Sequence, residues 1–566
     1  MAGPEAADPW RMAPGTSLVR ALRGWAATRG EHVALRFLDR GERVSDTATY
    51  AELDRAARIA GARLRAAGAA GRPVLIALPQ GLDFVRCLLG CLYAGAIPIP
   101  SPAWTDPRGT ARIAAILAQA QPALVVAERR DGATPANLVQ PAELLHGTPD
   151  ETAHDLRNDP APDDIALLQY TSGSTSRPRG VVITHGNLAA NLEMIRQAFA
   201  PTQDETAVSW LPLHHDMGLI GGVLEMLSHG GSVVLMSPLA FLQRPARWLQ
   251  AIAEYGAASG AVSGGPNFAY DLCARMVTDT QLRGVDLSRW RLAFCGAEPV
   301  RPHTLARFTT RFAAAGFAAR AFYPCYGLAE ATLFVTGGQP GTGATVVERD
   351  GAGSSVSCGI PRLDCEVALL HADRPVRVAE AAVGEIAIAG PQVSPGFWDA
   401  THGIRPDPAR TATLAGRRFL RTGDLGQFIA GELHVVGRVR NMIVLHGANL
   451  HAEDVEHTAT ERADAGTLGA IAALPVTNGA EEGLVVVCEL ARGSDAPATA
   501  TTLPQVATAI ADAHGVAPLE IVLVPSGAIA RTLSGKLQRE QTRAAYQSGT
   551  LLVLARHVPN RPRPAG

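Results

Sequence analysis

Residues 165–184 read IALLQYTSGSTSRPRGVVIT, and the architecture of the chain follows from how that stretch is punctuated. An apolar run, Ile165–Tyr170, meets ten residues dominated by Thr, Ser, Gly and Arg. A second run, Val181–Thr184, is β-branched throughout. The pattern predicts strand, turn, strand. It is not a Walker loop: the GK[ST] ending is missing, and a strand follows where a helix would be required. Two readings of the turn stand from these residues. It is either a solvated Ser/Thr/Gly loop or a cradle whose hydroxyls and backbone N–H groups surround a polyphosphate.

Working outward, short aliphatic runs recur at Val74–Leu78, Ala123–Ala127, Ser232–Met236 and Leu292–Cys295. Helical patterns lie between them at Tyr50–Ala67, Asn187–Phe199 and Pro245–Tyr255. This alternation predicts an α/β fold with a largely parallel sheet. Beyond Gly384 the texture changes to short strands with glycine turns, GEIAIAG, GELHVVG and NMIVLHG. That predicts a small β-rich unit. A compact α+β unit follows, with helices at Asp454–Arg462 and Leu503–His514 and strands at Leu484–Glu489 and Glu520–Val524. The expected organisation is a large N-terminal domain over 1–439, a small mobile C-terminal domain over 440–550, and a disordered tail over 551–566, whose end is rich in Pro and Arg.

The chain has 566 residues and a formal net charge of -2, which gives no general field for nucleic acid or an anionic membrane. The longest nearly apolar run, Leu88–Pro100, is broken by two glycines and two prolines, so no stable membrane insertion is expected. Eight cysteines are scattered without CxxC or Cys/His zinc spacing. A reduced, cytoplasmic protein is the expectation. One count stands out: of 51 Lys+Arg residues, one is lysine, Lys536.

TSGSTSRPRGV resembles the phosphate loop of the acyl-adenylate-forming superfamily, which includes acyl-CoA synthetases, peptide-synthetase adenylation domains and luciferases. YGLAEAT (326–332), GEIAIAG (384–390), RTGDLG (421–426), GRVRNMIVLHGANL (437–450) and RTLSGKLQRE (531–540) follow in the family's order. SWLPLHHDMGLIGG (209–222), SGGPNFAYDLCAR (263–275), AFCGAEPVRPHTLARF (293–308) and AFYPCYGLAEATLFVTGG (321–338) resemble one branch, the fatty acyl-AMP ligases. The resemblance spans about residues 15–545. It implies attack of a fatty acid carboxylate on the α-phosphorus of ATP, giving acyl-AMP and pyrophosphate with Mg2+ as cofactor. The acyl group then passes to the phosphopantetheine thiol of a separate acyl carrier protein, or of a carrier domain of a polyketide or peptide synthase. An acyl-CoA synthetase using CoA is the alternative.

The resemblance also assigns roles. Thr171, Ser172, Gly173, Ser174 and Thr175 would surround the phosphates, and Gly296, Ala297 and Glu298 would border the adenine. Tyr326, followed by Gly327, would stack on the adenine. Glu330 would bind magnesium, Asp424 would hold the ribose hydroxyls, and Arg438 would add donors nearby. His215 would gate the acyl entrance, with Gly218, Gly221, Gly222 and Gly264 leaving room for a channel. Arg440 would be the hinge of the mobile domain, and Arg179 stands where the phosphate loop usually has lysine. Lys536 would reach the carboxylate and α-phosphate, because a compact ammonium with rotatable donors can follow a moving charge better than a planar guanidinium. From the residues alone, each of these positions also has a structural reading as a turn, core or salt-bridge residue. The branch usually carries a longer segment after its EAT motif. Here only Leu333–Ser355 precedes VSCGIP, which leaves the choice between carrier thiol and CoA open.

Overall fold

The computed structural model describes residues 16–106, 109–129, 135–146, 159–171, 178–202, 204–349, 353–371, 374, 376–379, 382–445, 448–463, 467–478, 481–491, 493–531 and 537–559.

The large part of the chain is organised by a nine-stranded sheet. In spatial order its strands are Ile360–Pro361, Phe334–Gly337, Phe322–Gly327, Trp290–Cys295, Ala261–Gly265, Thr206–Ser209, Ser232–Met236, Val33–Asp39 and Arg43–Thr49. The inner pairs are parallel and both edges are antiparallel. Ser232–Met236 is buried along its whole length, as its unbroken SVVLM run requires of a strand covered on both faces. A second, parallel sheet orders Ile97–Pro100, Pro73–Ile76, Leu124–Val126 and Leu138–Val139. The expected α/β architecture with parallel-rich sheets is therefore what the chain forms.

Helices close over these sheets where caps allow. Tyr50–Ala66 starts at a capping box in which Thr49 and Glu52 satisfy each other's backbone N–H. It packs on Leu82–Ala94, which presents only buried residues except Asp83 and Arg86. The β-rich unit is an antiparallel sheet of Glu366–Leu370, Gly384–Ala389, Arg417–Ile429 and Thr411–Leu414, with Glu432–Arg438 paired to Arg417–Ile429.

The C-terminal part has its own sheet, ordered Leu468–Asn478, Glu481–Leu490, Glu520–Val524 and Ala555–His557. Two apolar clusters flank it. One is built around Val455, Val486 and Ile510, the other around Leu474, Val485 and Val522. The expectation of a disordered tail from 551 is corrected in part. Ala555–His557 pairs antiparallel with Glu520–Val524, and Leu551 and Val553 pack on the second cluster. The apolar LLVLA stretch differs in composition from the Pro/Arg-rich end that follows it, and it covers a sheet edge that would otherwise leave backbone groups unpaired. Residues 560–566 lie outside the described residues.

Candidate functional site

Parallel strands bind ligands beyond their carboxyl ends, and three of the strands here finish side by side. Ala261–Gly265, Trp290–Cys295 and Phe322–Gly327 are adjacent, in register through Cys295 with Gly265 and Pro324. Gly296 follows at once. A Cβ there would come within 2.7 Å of the Cys325 carbonyl oxygen, so only glycine fits. Ala297 then takes a left-handed φ of 65°, unusual for a residue with a Cβ. Glu298 turns back, its carboxylate accepting the Phe268 N–H at 2.6 Å and capping the helix Asn267–Met276. Of these three, Glu298 has a visible structural task.

Phe322–Gly327 delivers Tyr326 to the centre of the site. Its ring is buried, and its hydroxyl donates to an Asp424 carboxylate oxygen at 2.8 Å. The other oxygen of Asp424 pairs with Arg438 at 2.8 Å. Asp424 and Arg438 face each other as register partners on neighbouring strands. A carboxylate offers about four lone-pair sites, so about two remain for a diol. The RTGDLG segment is held from behind. Glu385 accepts from Arg421 and from the Gly423 N–H, and the Thr422 hydroxyl accepts from the Asp424 N–H at 3.1 Å while donating to the Ile386 carbonyl. If Tyr326 fixes the orientation of Asp424, Tyr326→Phe should raise the KM for ATP about tenfold, the worth of one hydrogen bond to a charged group, and leave the KM for the acid unchanged. Steady-state pyrophosphate release checks this.

Glu330 sits on a short 3-10 turn, Ala329–Ala331. Thr332 follows at φ 66° and ψ -61°, and the Leu333 N–H reaches the Ala331 carbonyl at 2.8 Å. This is a γ-turn of the rare positive-φ kind, a strained backbone of the sort found at working sites. Buried Thr332 is locked by its hydroxyl donating to the Gln392 carbonyl. The Glu330 carboxylate pairs with Arg410, which also donates to the carbonyls of Arg421 and Thr422. Glu330, Arg410, Asp407 and Phe397 line one cleft. Arg179 contacts two of these residues, bound to Asp407 at 2.9 Å and stacked 3.5 Å above the Phe397 ring. Its charge is thus already partnered by a carboxylate. Nothing local in RPDPART marks Arg410 as the partner of Glu330, so sequence reasoning missed it.

The hairpin carrying the phosphate loop pairs Thr171 with Arg179 and Tyr170 with Gly180. Ser172, Gly173, Ser174 and Thr175 lie outside the described residues, as does Lys536. The ends flanking Lys536 are fixed: Arg531 bridges Leu537, and the Gln538 N–H reaches the Ala530 carbonyl.

His214 and His215 lie ring against ring, 4.5 Å between centroids, just ahead of an eight-residue π-helix, Met217–Leu224. π-helical turns are rare and recur at functional sites. The Gln169 amide donates to the His214 carbonyl at 2.8 Å, tying this segment to the strand that leads into the phosphate loop. Burial holds His214 neutral, its pKa down to about 3. The expected channel glycines turn out to be in close contacts. A Cβ on Gly218 would strike the Pro212 carbonyl, and one on Gly264 would strike the backbone and ring of Phe294. Gly221 abuts Leu333, at 2.9 Å from an added Cβ. Gly264→Ala should therefore cost about 1–3 kcal/mol of stability, as overpacking does. A thermal melt would show the loss, whereas an unchanged melt with altered chain-length preference would return Gly264 to the channel.

Arg440 lies in the turn Val439–Asn441, directly after Arg438. Next to it, the Asn441 amide donates to Glu453 at 2.7 Å, and Arg301 of the large part donates to the Glu453 carbonyl at 3.1 Å.

The AMP-binding enzyme family profile matches residues 22–398. A medium-chain-fatty-acid–acyl-carrier-protein ligase of Moorena producens is 34% identical over 580 residues, covering 95% of this chain and 96% of its own length. A long-chain-fatty-acid–AMP ligase of Mycolicibacterium smegmatis is 33% identical, covering 95% of both chains. The fatty acyl-adenylate ligase from L. pneumophila, solved in complex with acyl adenylate and pyrophosphate, superposes with a TM-score of 0.72 at 31% identity, covering 98% of this chain and 99% of that one.

Proposed function

Since this chain belongs to the AMP-binding enzyme family, in its fatty acyl-AMP ligase branch, we propose that it activates a fatty acid with ATP as acyl-AMP and hands the acyl group to the phosphopantetheine thiol of a separate acyl carrier protein. The observation that carries this reading is the Tyr326–Asp424–Arg438 constellation, assembled from three strands with lone pairs to spare for a ribose. Relatives named for ligation to a carrier protein support the acceptor.

In this reading ATP lies across the ends of the parallel strands. Gly296 and Ala297 border its base, and Tyr326 and Gly327 approach it from the next strand. Asp424 accepts from the ribose hydroxyls, and Arg438 balances the charge. Thr171–Thr175 cradle the phosphates, while Lys536 bridges the fatty carboxylate and the α-phosphate, where charge grows in the transition state. His215 and the π-helix guard the acyl side. No helix among the described residues is long and apolar enough to cross a membrane. The eight cysteines are all unpaired thiols, which supports a reducing, cytoplasmic setting.

Glu330 suits a magnesium ion. It is a carboxylate, only partly buried, in the cleft reached by the strained EAT turn, and Mg2+ takes oxygen ligands from one or two carboxylates plus phosphates. The ion would offset phosphate charge. Arg410 aims the Glu330 carboxylate, so Arg410→Met should raise the Mg2+ concentration for half-maximal pyrophosphate release about tenfold. A magnesium titration of pyrophosphate release measures this.

The large unit over 1–439 and the small unit over 440–550 are read as two domains joined at Arg440, with the small one turning between the two half-reactions. Its separate apolar clusters support that division. The experiment for the reading as a whole is pyrophosphate release from ATP against a panel of fatty acids. Release dependent on acid and Mg2+ is expected, and none with any acid from short to long would overturn it.

A further inference from the structure

His303, on the helix Pro302–Phe312 of the large part, meets His457 and Glu461 on the helix Ala452–Arg462 of the small part. The two imidazoles lie nearly parallel, 12° apart with centroids at 5.2 Å. His457 contacts the Glu461 carboxylate at 3.2 Å. Ligand atoms of all three side chains fall within 4.8 Å of one another. None of the three belongs to the nucleotide or acyl site described above.

The geometry points to a site for a divalent transition-metal ion of the zinc class, with two histidines and one glutamate as ligands, bridging the large and small parts of the chain. Two imidazoles and a carboxylate are the donors of three-ligand zinc sites, which keep a fourth position for water. Glu461 is mostly exposed, so an ion has a path in. The His303 Nδ1 is shut away from solvent and has no hydrogen-bond partner among the described residues, a state that needs an explanation in a folded protein. Tetrahedral ligands about 2 Å from an ion stand about 3.4 Å apart, so the cluster must contract on binding. The exposed Glu461 is free to turn inward. Burial first holds both imidazoles below the ordinary histidine range, His457 at about 4; His457, Arg307 and Arg301 add to it at His303, and Arg301 adds to it at His457. Arg301 and Arg307 supply that positive field, and the Glu461 carboxylate offsets it for an incoming cation.

An ion here would tie the two helices together. If the small domain turns during catalysis, which rests on the proposed function, the ion acts as a brake on the cycle. The site itself does not depend on that reading.

The test uses full-length protein and zinc chloride. Calorimetric titration should show one ion bound per chain, with affinity falling at least tenfold in His303→Ala and in Glu461→Gln. Hydrogen exchange should slow on zinc addition in both helices, 302–312 and 452–462, and in neither for His303→Ala. Unchanged zinc affinity in His303→Ala, or protection confined to the small part's helix, would overturn the bridging site. Failure of all pyrophosphate release would strike the proposed function and leave these two readouts intact.

Discussion

Asp424→Ala is expected to lower kcat/KM for ATP by about a hundred- to ten-thousandfold. The residue contributes two hydrogen bonds to a ribose diol in the proposed complex, each worth about 1.5–3 kcal/mol when one partner is charged, and each 1.36 kcal/mol is tenfold in rate. The substitution also strands the buried Tyr326 hydroxyl and leaves Arg438 without its 2.8 Å carboxylate. Stability should therefore fall as well, by about 1–3 kcal/mol for the unsatisfied hydroxyl. Kinetics on Asp424→Ala combined with Tyr326→Phe separates the two effects: the double variant should recover stability without recovering rate. If Asp424→Ala adenylated within a few-fold of the unaltered enzyme, the assignment of the ribose site would be wrong.

Lys536→Ala should reduce the rate of fatty-acid-dependent pyrophosphate release by about a hundred- to a thousandfold, the worth of one donor aimed at developing charge. ATP affinity should stay within a few-fold, because the contact forms in the transition state and not in the bound ground state. Lys536→Arg should fail to rescue the rate. This chain uses arginine at every other cationic position, so tolerance of arginine at 536 would remove the physical reason for its single lysine. Equilibrium binding of ATP beside single-turnover kinetics distinguishes lost chemistry from lost binding.

Much of the scaffold could be read from one sequence because buried parallel strands are continuous β-branched or aliphatic runs. Ser232–Met236, Glu520–Val524 and the helix Leu503–His514 form over the residues their patterns mark. The site could be read only through ordered motifs, since what makes it is contact between strands distant in sequence. Tyr326 meets Asp424 from a different sheet, and no periodicity announces that. Three features had no local signal. Arg410 reaches Glu330 from a segment that reads as an ordinary loop. The γ-turn at Thr332 depends on Gln392 from another strand connection. The π-helix at Met217–Leu224 is apolar on every side, so its sequence cannot distinguish it from any buried helix. Glycine is ambiguous to sequence reading: Gly218 and Gly264 suit an acyl channel, and the structure also packs each against neighbouring backbone.

The short length of the segment after the EAT motif leaves the acceptor open in the sequence. It folds as the strand Phe334–Gly337 and a hairpin of Val346–Arg349 with Gly353–Val356. The hairpin touches the helix Pro302–Phe312, which meets the helix Ala452–Arg462 through His303 and His457.

The most direct measurement gives the purified enzyme ATP, Mg2+ and a fatty acid that supports pyrophosphate release, and supplies either CoA or a phosphopantetheinylated acyl carrier protein. The carrier protein should become acylated on its phosphopantetheine thiol, with release of AMP, at the rate of adenylate formation, and acyl-AMP should accumulate when CoA is the sole thiol. Acyl-CoA formed as fast as the adenylate would contradict it.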